Sequence, residues 1–127
     1  MAGKSNTSRT LEYLRAEGLE CGIVERFNQY GGKFGIRQDL FGIIDIIAIA
    51  QGRLVGVQSC GQAFSEHDKK IMASEFSLKW IEAGGELVLI GWRKVKKKRG
   101  GKQMIWKPRV KEYSKLDFYK IIQEGKK

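Results

Sequence analysis

Histidine and proline occur once each in this 127-residue chain, and cysteine only twice. The two thiols, Cys21 and Cys60, lie far apart with no CxxC spacing. That excludes a cysteine-rich zinc site and points to reduced thiols in a cytoplasmic protein. The lone His67 has no partner at a diagnostic spacing, so Cys60 does not read as a nucleophile, and His67 itself reads as a helix-start or surface residue. A single proline argues for an ordered chain. No apolar run approaches a membrane span, and the opening MAGKSNTS lacks a signal-peptide core. Acidic residues are also short: 14 against 24 Lys and Arg, a formal net charge of +10. That imbalance points to a polyanionic partner, with nucleic acid first and an acidic membrane surface second. Charge alone specifies no activity. The length fits one domain with a real core.

What is present centres on residues 39–62, DLFGIIDIIAIAQGRLVGVQSCGQ. Two apolar runs, 42–50 and 54–57, flank Gln51-Gly52-Arg53, the spacing of a β-hairpin with a glycine turn. Before it, Ser8-Arg9-Thr10 opens a helical pattern capped by Thr7 or Ser8 and closed by Gly18. Residues 19–29 read as one strand and 30–38 as a basic loop carrying Lys33 and Arg37. After the hairpin, Ser65-Glu66-His67-Asp68 resembles a capping box that opens one helix running to residue 82 or 83. Gly84-Gly85 ends it, and 86–92 is a buried strand. The order α-β-β-β-α-β predicts an α/β or α+β domain with helices against a central mixed sheet. Residues 93–102 carry the densest charge, and the strand-like 104–107 follows. Together they read as a projecting basic hairpin with Gly100-Gly101 at its tip. Ser114 opens a C-terminal helix over 114–124. There is no internal repeat and no linker.

Asp45 stands among Ile43, Ile44, Ile46 and Ile47. A carboxylate there is costly unless it is paired or metal-bound. Pairing across the turn brings Gln58 to the same end of the hairpin, and Asp39 lies six residues upstream. Asp39, Asp45 and Gln58 make an oxygen donor set of the kind Mg²⁺ prefers. Asp39 reads equally as a turn cap. Glu25 interrupts the apolar pattern of the first strand and can reach the same site, or stand exposed.

These residues carry a resemblance. The helix, the strand, GIID, the hairpin into VQSC and the following helix resemble the PD-(D/E)xK nuclease superfamily over about residues 8–92. The similar branches are the Holliday-junction-resolvase-like and VRR-Nuc-like nucleases. The resemblance implies a restriction-endonuclease-like core, and the basic hairpin read from the charge run follows it over 93–111. It also implies a Mg²⁺-dependent (or Mn²⁺-dependent) DNA endonuclease acting on structured or branched DNA, as a homodimer. Asp45 takes the place of the motif acid and Gln58 that of the Glu or Gln, with the Ser59 carbonyl a further metal ligand. The motif lysine falls on Cys60, which cannot supply its charge. The resemblance therefore moves that role to Lys70 or Lys69 on the next helix. Arg93, Lys94, Lys96, Lys97, Lys98, Arg99 and Lys102, with Lys33 and Arg37, are the expected phosphate contacts. Trp92 and Trp106 flank them as strand anchors or base-stacking residues. The alternative is a nucleic-acid-binding protein that kept the fold and lost the catalytic lysine.

Overall fold

The computed structural model describes residues 4–28 and 36–119, with the side chains of 27, 28, 36 and 37 left out. Lys33 lies outside the described residues, as does the side chain of Arg37. Ten elements follow in order: α1 (Asn6–Ala16), β1 (Glu20–Ile23), β2 (Arg26–Asn28), β3 (Ile36–Gln38), β4 (Ile46–Ala50), β5 (Arg53–Cys60), α2 (Phe64–Ala73), α3 (Glu75–Glu82), β6 (Glu86–Lys96) and β7 (Met104–Tyr113). A last helical turn covers residues 115–119, and the rest of the expected 114–124 helix is outside the described residues.

The protein is an α+β domain built on a five-stranded mixed sheet in the order β1-β4-β5-β6-β7, with β2 and β3 forming a separate ribbon. Among the described residues only the β5–β6 pair is parallel, because the α2–α3 crossover joins them. The β4–β5 hairpin forms as expected, with Gly52 at a φ of 72° in its turn. Strand alternation sorts the apolar residues into two cores. Leu14 of α1 packs with Ile46, Ala48, Val55, Val57, Val88, Ile90 and Trp92 on one face. Phe64 and Ile71 of α2 pack with Ile43, Ile44, Cys60, Leu87, Leu89 and Tyr113 on the other.

Several expectations are corrected. The first helix starts earlier, at Asn6, because the Ser5 side chain caps it by accepting from Ser8 N. The single strand expected over 19–29 is two, β1 and β2, because Val24 N and Glu25 N leave the ladder and donate to Asp45 O at 3.0 and 3.3 Å, and residue 29 lies outside the described residues. The capping box at Ser65 does not form: Ser65 lies inside α2, and Asp68 instead accepts from Lys111 and Tyr113. The single helix is two, broken at Ser74. There the backbone is extended, Ser74 Oγ caps Phe76 N, and the Ile71 carbonyl accepts from the buried Ser77 Oγ at 2.6 Å as well as from Ser74 N at 3.3 Å. The basic hairpin is no appendage beyond residue 92. β7 pairs with β6 from Leu87↔Tyr113 to Lys96↔Met104 and forms the outermost strand of the sheet. Gly91 lets Phe64 close on this pair, since a Cβ there would meet the Phe64 ring at 2.5 Å.

Candidate metal and nucleic-acid site

Asp45 sits in a bend just ahead of β4, not within the strand as the apolar run implied. Its backbone N continues the ladder to Val57 O at 3.0 Å, which fixes the side chain beside β5. The carboxylate is 5 % exposed. Oδ2 accepts from Gln58 Nε2 at 3.0 Å, and both oxygens lie 3.2 Å from Ser59 N. Burial pushes the Asp45 carboxyl up to about 7. The Ser59 amide opposes that rise, and the negative fields of Asp39 and Glu25 add to it.

Asp39 reaches the same point from a turn. Gly42 N donates to Asp39 O at 3.0 Å, and Leu40 and Ile44 exchange backbone bonds at 2.7 and 3.0 Å, so the chain folds back on itself. Closing this turn requires Phe41 at a φ of 56°, the left-handed region that costs an L-residue about 1–2 kcal/mol. Gln58 Nε2 donates to Asp39 Oδ2 at 3.1 Å as well as to Asp45. One amide thus bridges two carboxylates, while its own Oε1 is buried with no partner. A half-turn of the amide would place that oxygen beside the carboxylates, a crowding of acceptors that is favourable only around a cation. Ser59 N faces Asp45, and a strand residue points its C=O to the same side as its N–H. The Ser59 carbonyl therefore opens toward the same gap. Two carboxylates, an amide oxygen and a carbonyl fit Mg²⁺ or Mn²⁺.

Glu25 is half-buried beside this cluster and acts on Asp45 through its field. Among the described residues, no three His, Cys, Asp or Glu side chains are grouped closely enough to hold a metal. The donor set therefore rests on Gln58 and the Ser59 carbonyl as much as on Asp39 and Asp45.

Of the two lysines on α2, Lys70 is brought to the site, its Nζ 3.7 Å from Asp39 Oδ2. Lys69 is exposed. Cys60 is buried, and burial with the nearby Asp45 pushes its thiol up to about 11, so it is a neutral thiol there; Lys70 and Arg109 oppose that rise. The fields of Lys70 and Arg109 thus converge on Cys60. His67 Nδ1 is buried without a partner. Burial and Lys70 hold the His67 imidazole below its usual range, against Asp39 and Glu66.

The ladder divides the basic residues between two faces. Arg93 pairs with Lys107, and Gly91 with Arg109, so Arg93, Lys107, Arg109 and Lys111 line the α2 side that carries Asp45. There Arg109 stacks 4.1 Å from the Phe64 ring centroid, and Lys111 holds Asp68 at 2.9 Å. Lys94 and Lys96 point to the α1 side. On that side Trp106 is 43 % exposed, with the Arg9 guanidinium 3.7 Å and Lys94 Nζ 5.9 Å from its ring centroid. Trp92 is a buried anchor that donates to Thr10 Oγ1 at 2.8 Å. Lys97, Lys98, Arg99 and Lys102 surround the exposed tip. Arg109 and Lys107 were missed from the sequence, although Lys107, Arg109 and Lys111 recur with the two-residue period of a strand face.

No protein-family model, curated protein or solved structure matches this chain. Among the described residues no helix is long and apolar enough to cross a membrane.

Proposed function

We propose that the protein is a divalent-metal-dependent DNA endonuclease of restriction-endonuclease-like architecture. The observation that carries this reading is the buried Gln58 amide bridging Asp39 and Asp45, with Lys70 directly behind Asp39. Three sheet strands after a first helix, a crossover helix and a parallel return strand agree with the core that the sequence resembles. Asp39, Asp45, Gln58 Oε1 and the Ser59 carbonyl would hold Mg²⁺. When bound, Mg²⁺ supplies Lewis acidity toward the scissile phosphate and toward the attacking water. Asp45 serves as a ligand in its charged form, so its proton leaves as the cation arrives. Lys70, on the flank of Asp39, neutralises charge developing on the phosphate. Arg93, Lys107 and Arg109 lead the DNA backbone along β6 and β7 toward that point, and the tip charges grip further out. The resemblance favours structured or branched DNA and, for a two-fold substrate, a homodimer.

Cys60 in place of the motif lysine favours a second reading, a nucleic-acid-binding protein that has lost the chemistry. The two readings separate in a cleavage assay on linear, flapped and four-way DNA with Mg²⁺ or EDTA. The nuclease cuts only with Mg²⁺, and Asp45→Asn abolishes cutting while DNA binding persists. Cleavage by Asp45→Asn at the wild-type rate would refute the site.

A further inference from the structure

Two phenylalanine rings lie exposed beside the acidic cluster, and the site chemistry uses neither. Phe41 belongs to the turn that presents Asp39, two residues along the chain, and it is 49 % exposed. Its ring stacks on Phe76 of α3, with centroids 5.3 Å apart and planes 20° from parallel. Phe76 is itself 37 % exposed. The break at Ser74 brings Phe76 onto the first turn of α3. Lys79, one turn further, places its Nζ 5.5 Å from the Phe76 ring centroid. Leaving these rings partly exposed forgoes some apolar burial, and Phe41 carries the further cost of a left-handed backbone. Both costs are met here on the surface of a strongly basic protein, next to two carboxylates and Lys70.

We infer that the Phe41–Phe76 pair is a stacking platform for an unpaired DNA base at the cleavage site. Aromatic faces take any base, because every base presents a π-face, and they need no hydrogen-bond reading. A base inside continuous duplex has both faces covered by its neighbours and cannot reach the platform. A base in a single strand, a flap or the mouth of a fork can. Lys79, whose Nζ also lies 3.9 Å from Glu75 Oε2, is the cation beside the platform that would meet a flanking phosphate. The turn that carries Asp39 therefore also carries the residue that selects unpaired DNA. This substrate preference rests on the nuclease reading, whereas the stacking itself does not.

The test uses the full chain with forked DNA carrying 2-aminopurine in the unpaired arm, in EDTA so that no strand is cut. Wild-type protein should quench the fluorophore in the arm and leave a duplex-embedded probe unchanged. Phe41→Ala and Phe76→Ala should lose that quenching and bind the forked DNA about tenfold more weakly. Phe41→Leu keeps an apolar contact on Phe76 but no aromatic face, and it should behave like Phe41→Ala. Wild-type quenching by Phe41→Leu, or equal weakening on duplex and forked DNA, would overturn the platform. In Mg²⁺, wild-type protein should cut the forked DNA faster than duplex, and Phe41→Leu should narrow that ratio. Quenching without cleavage of any DNA would leave the platform standing and refute the nuclease reading instead.

Discussion

Asp45 occupies a position that costs the fold when its carboxyl ionises. Its carboxyl is raised from 3.8 to about 7, chiefly by burial. An acid with a raised folded-state pKa contributes stability that is fully present below its unfolded pKa and is lost as pH rises through the folded one. The window therefore runs from about pH 4 to about pH 7. His67, held below its usual range, acts oppositely, giving stability above about pH 6.5 that is lost at lower pH. Comparing wild type with Asp45→Asn cancels the His67 contribution. Urea denaturation should show the variant gaining about 2–3 kcal/mol on wild type between pH 5 and pH 8. A constant difference would mean that Asp45 is not desolvated. Asp45 and Gln58 were legible in the sequence because a carboxylate among isoleucines needs a reason. Asp39 could be read either as a ligand or as a turn cap, because the turn that brings it to Asp45 depends on a left-handed Phe41 as well as on Gly42.

Among the elements, α2 decides which lysine serves the site. Consecutive helical residues point about 100° apart, so Lys70 faces Asp39 while Lys69 turns outward. Lys70→Ala should slow Mg²⁺-dependent cleavage at least roughly tenfold, about 1.4 kcal/mol of transition-state stabilisation. Single-turnover rates at saturating protein check this, and Lys69→Ala should do less. An equal loss in both variants would place the lysines in general charge attraction instead. The sequence could not choose between them, because the phase of α2 is set by Phe64 and Ile71 locking into a core made by distant strands. The break at Ser74 stayed hidden for a related reason. Apolar spacing continues across it, and the extended Ser74, its cap on Phe76 N and the pairing of Ser77 Oγ with the Ile71 carbonyl mark where α2 stops. The mixed sheet and the β4–β5 hairpin were legible from the order of elements and from the Gln-Gly-Arg turn, whereas the strand order was not read from the sequence. The length of β7 was not, because its residues 104–112 are largely exposed and lack the apolar run that marks a buried strand.

At the scale of the molecule, a net charge of +10 is spread over both faces of the sheet and concentrated at the β6–β7 tip. Replacing Lys96, Lys97, Lys98 and Arg99 with Ala should weaken binding similarly for unrelated DNA sequences. The slope of log K against log salt should become shallower by up to about 3.6 units if all four meet duplex phosphates. Titrations at several salt concentrations measure this, and an unchanged slope would move the grip to Arg93, Lys107 and Arg109. The same outermost strand bears on colloidal behaviour. A ten-residue strand that pairs on one side alone among the described residues is a template for another chain to extend the sheet. Here that side carries the only proline of the sequence, Pro108, which has no N–H to give an incoming strand. Lys107, Arg109 and Lys111 alternate around it, so two such margins would meet cation against cation at a strand spacing of about 4.8 Å. The margin is thus insulated against fibril growth by the cations that DNA would neutralise.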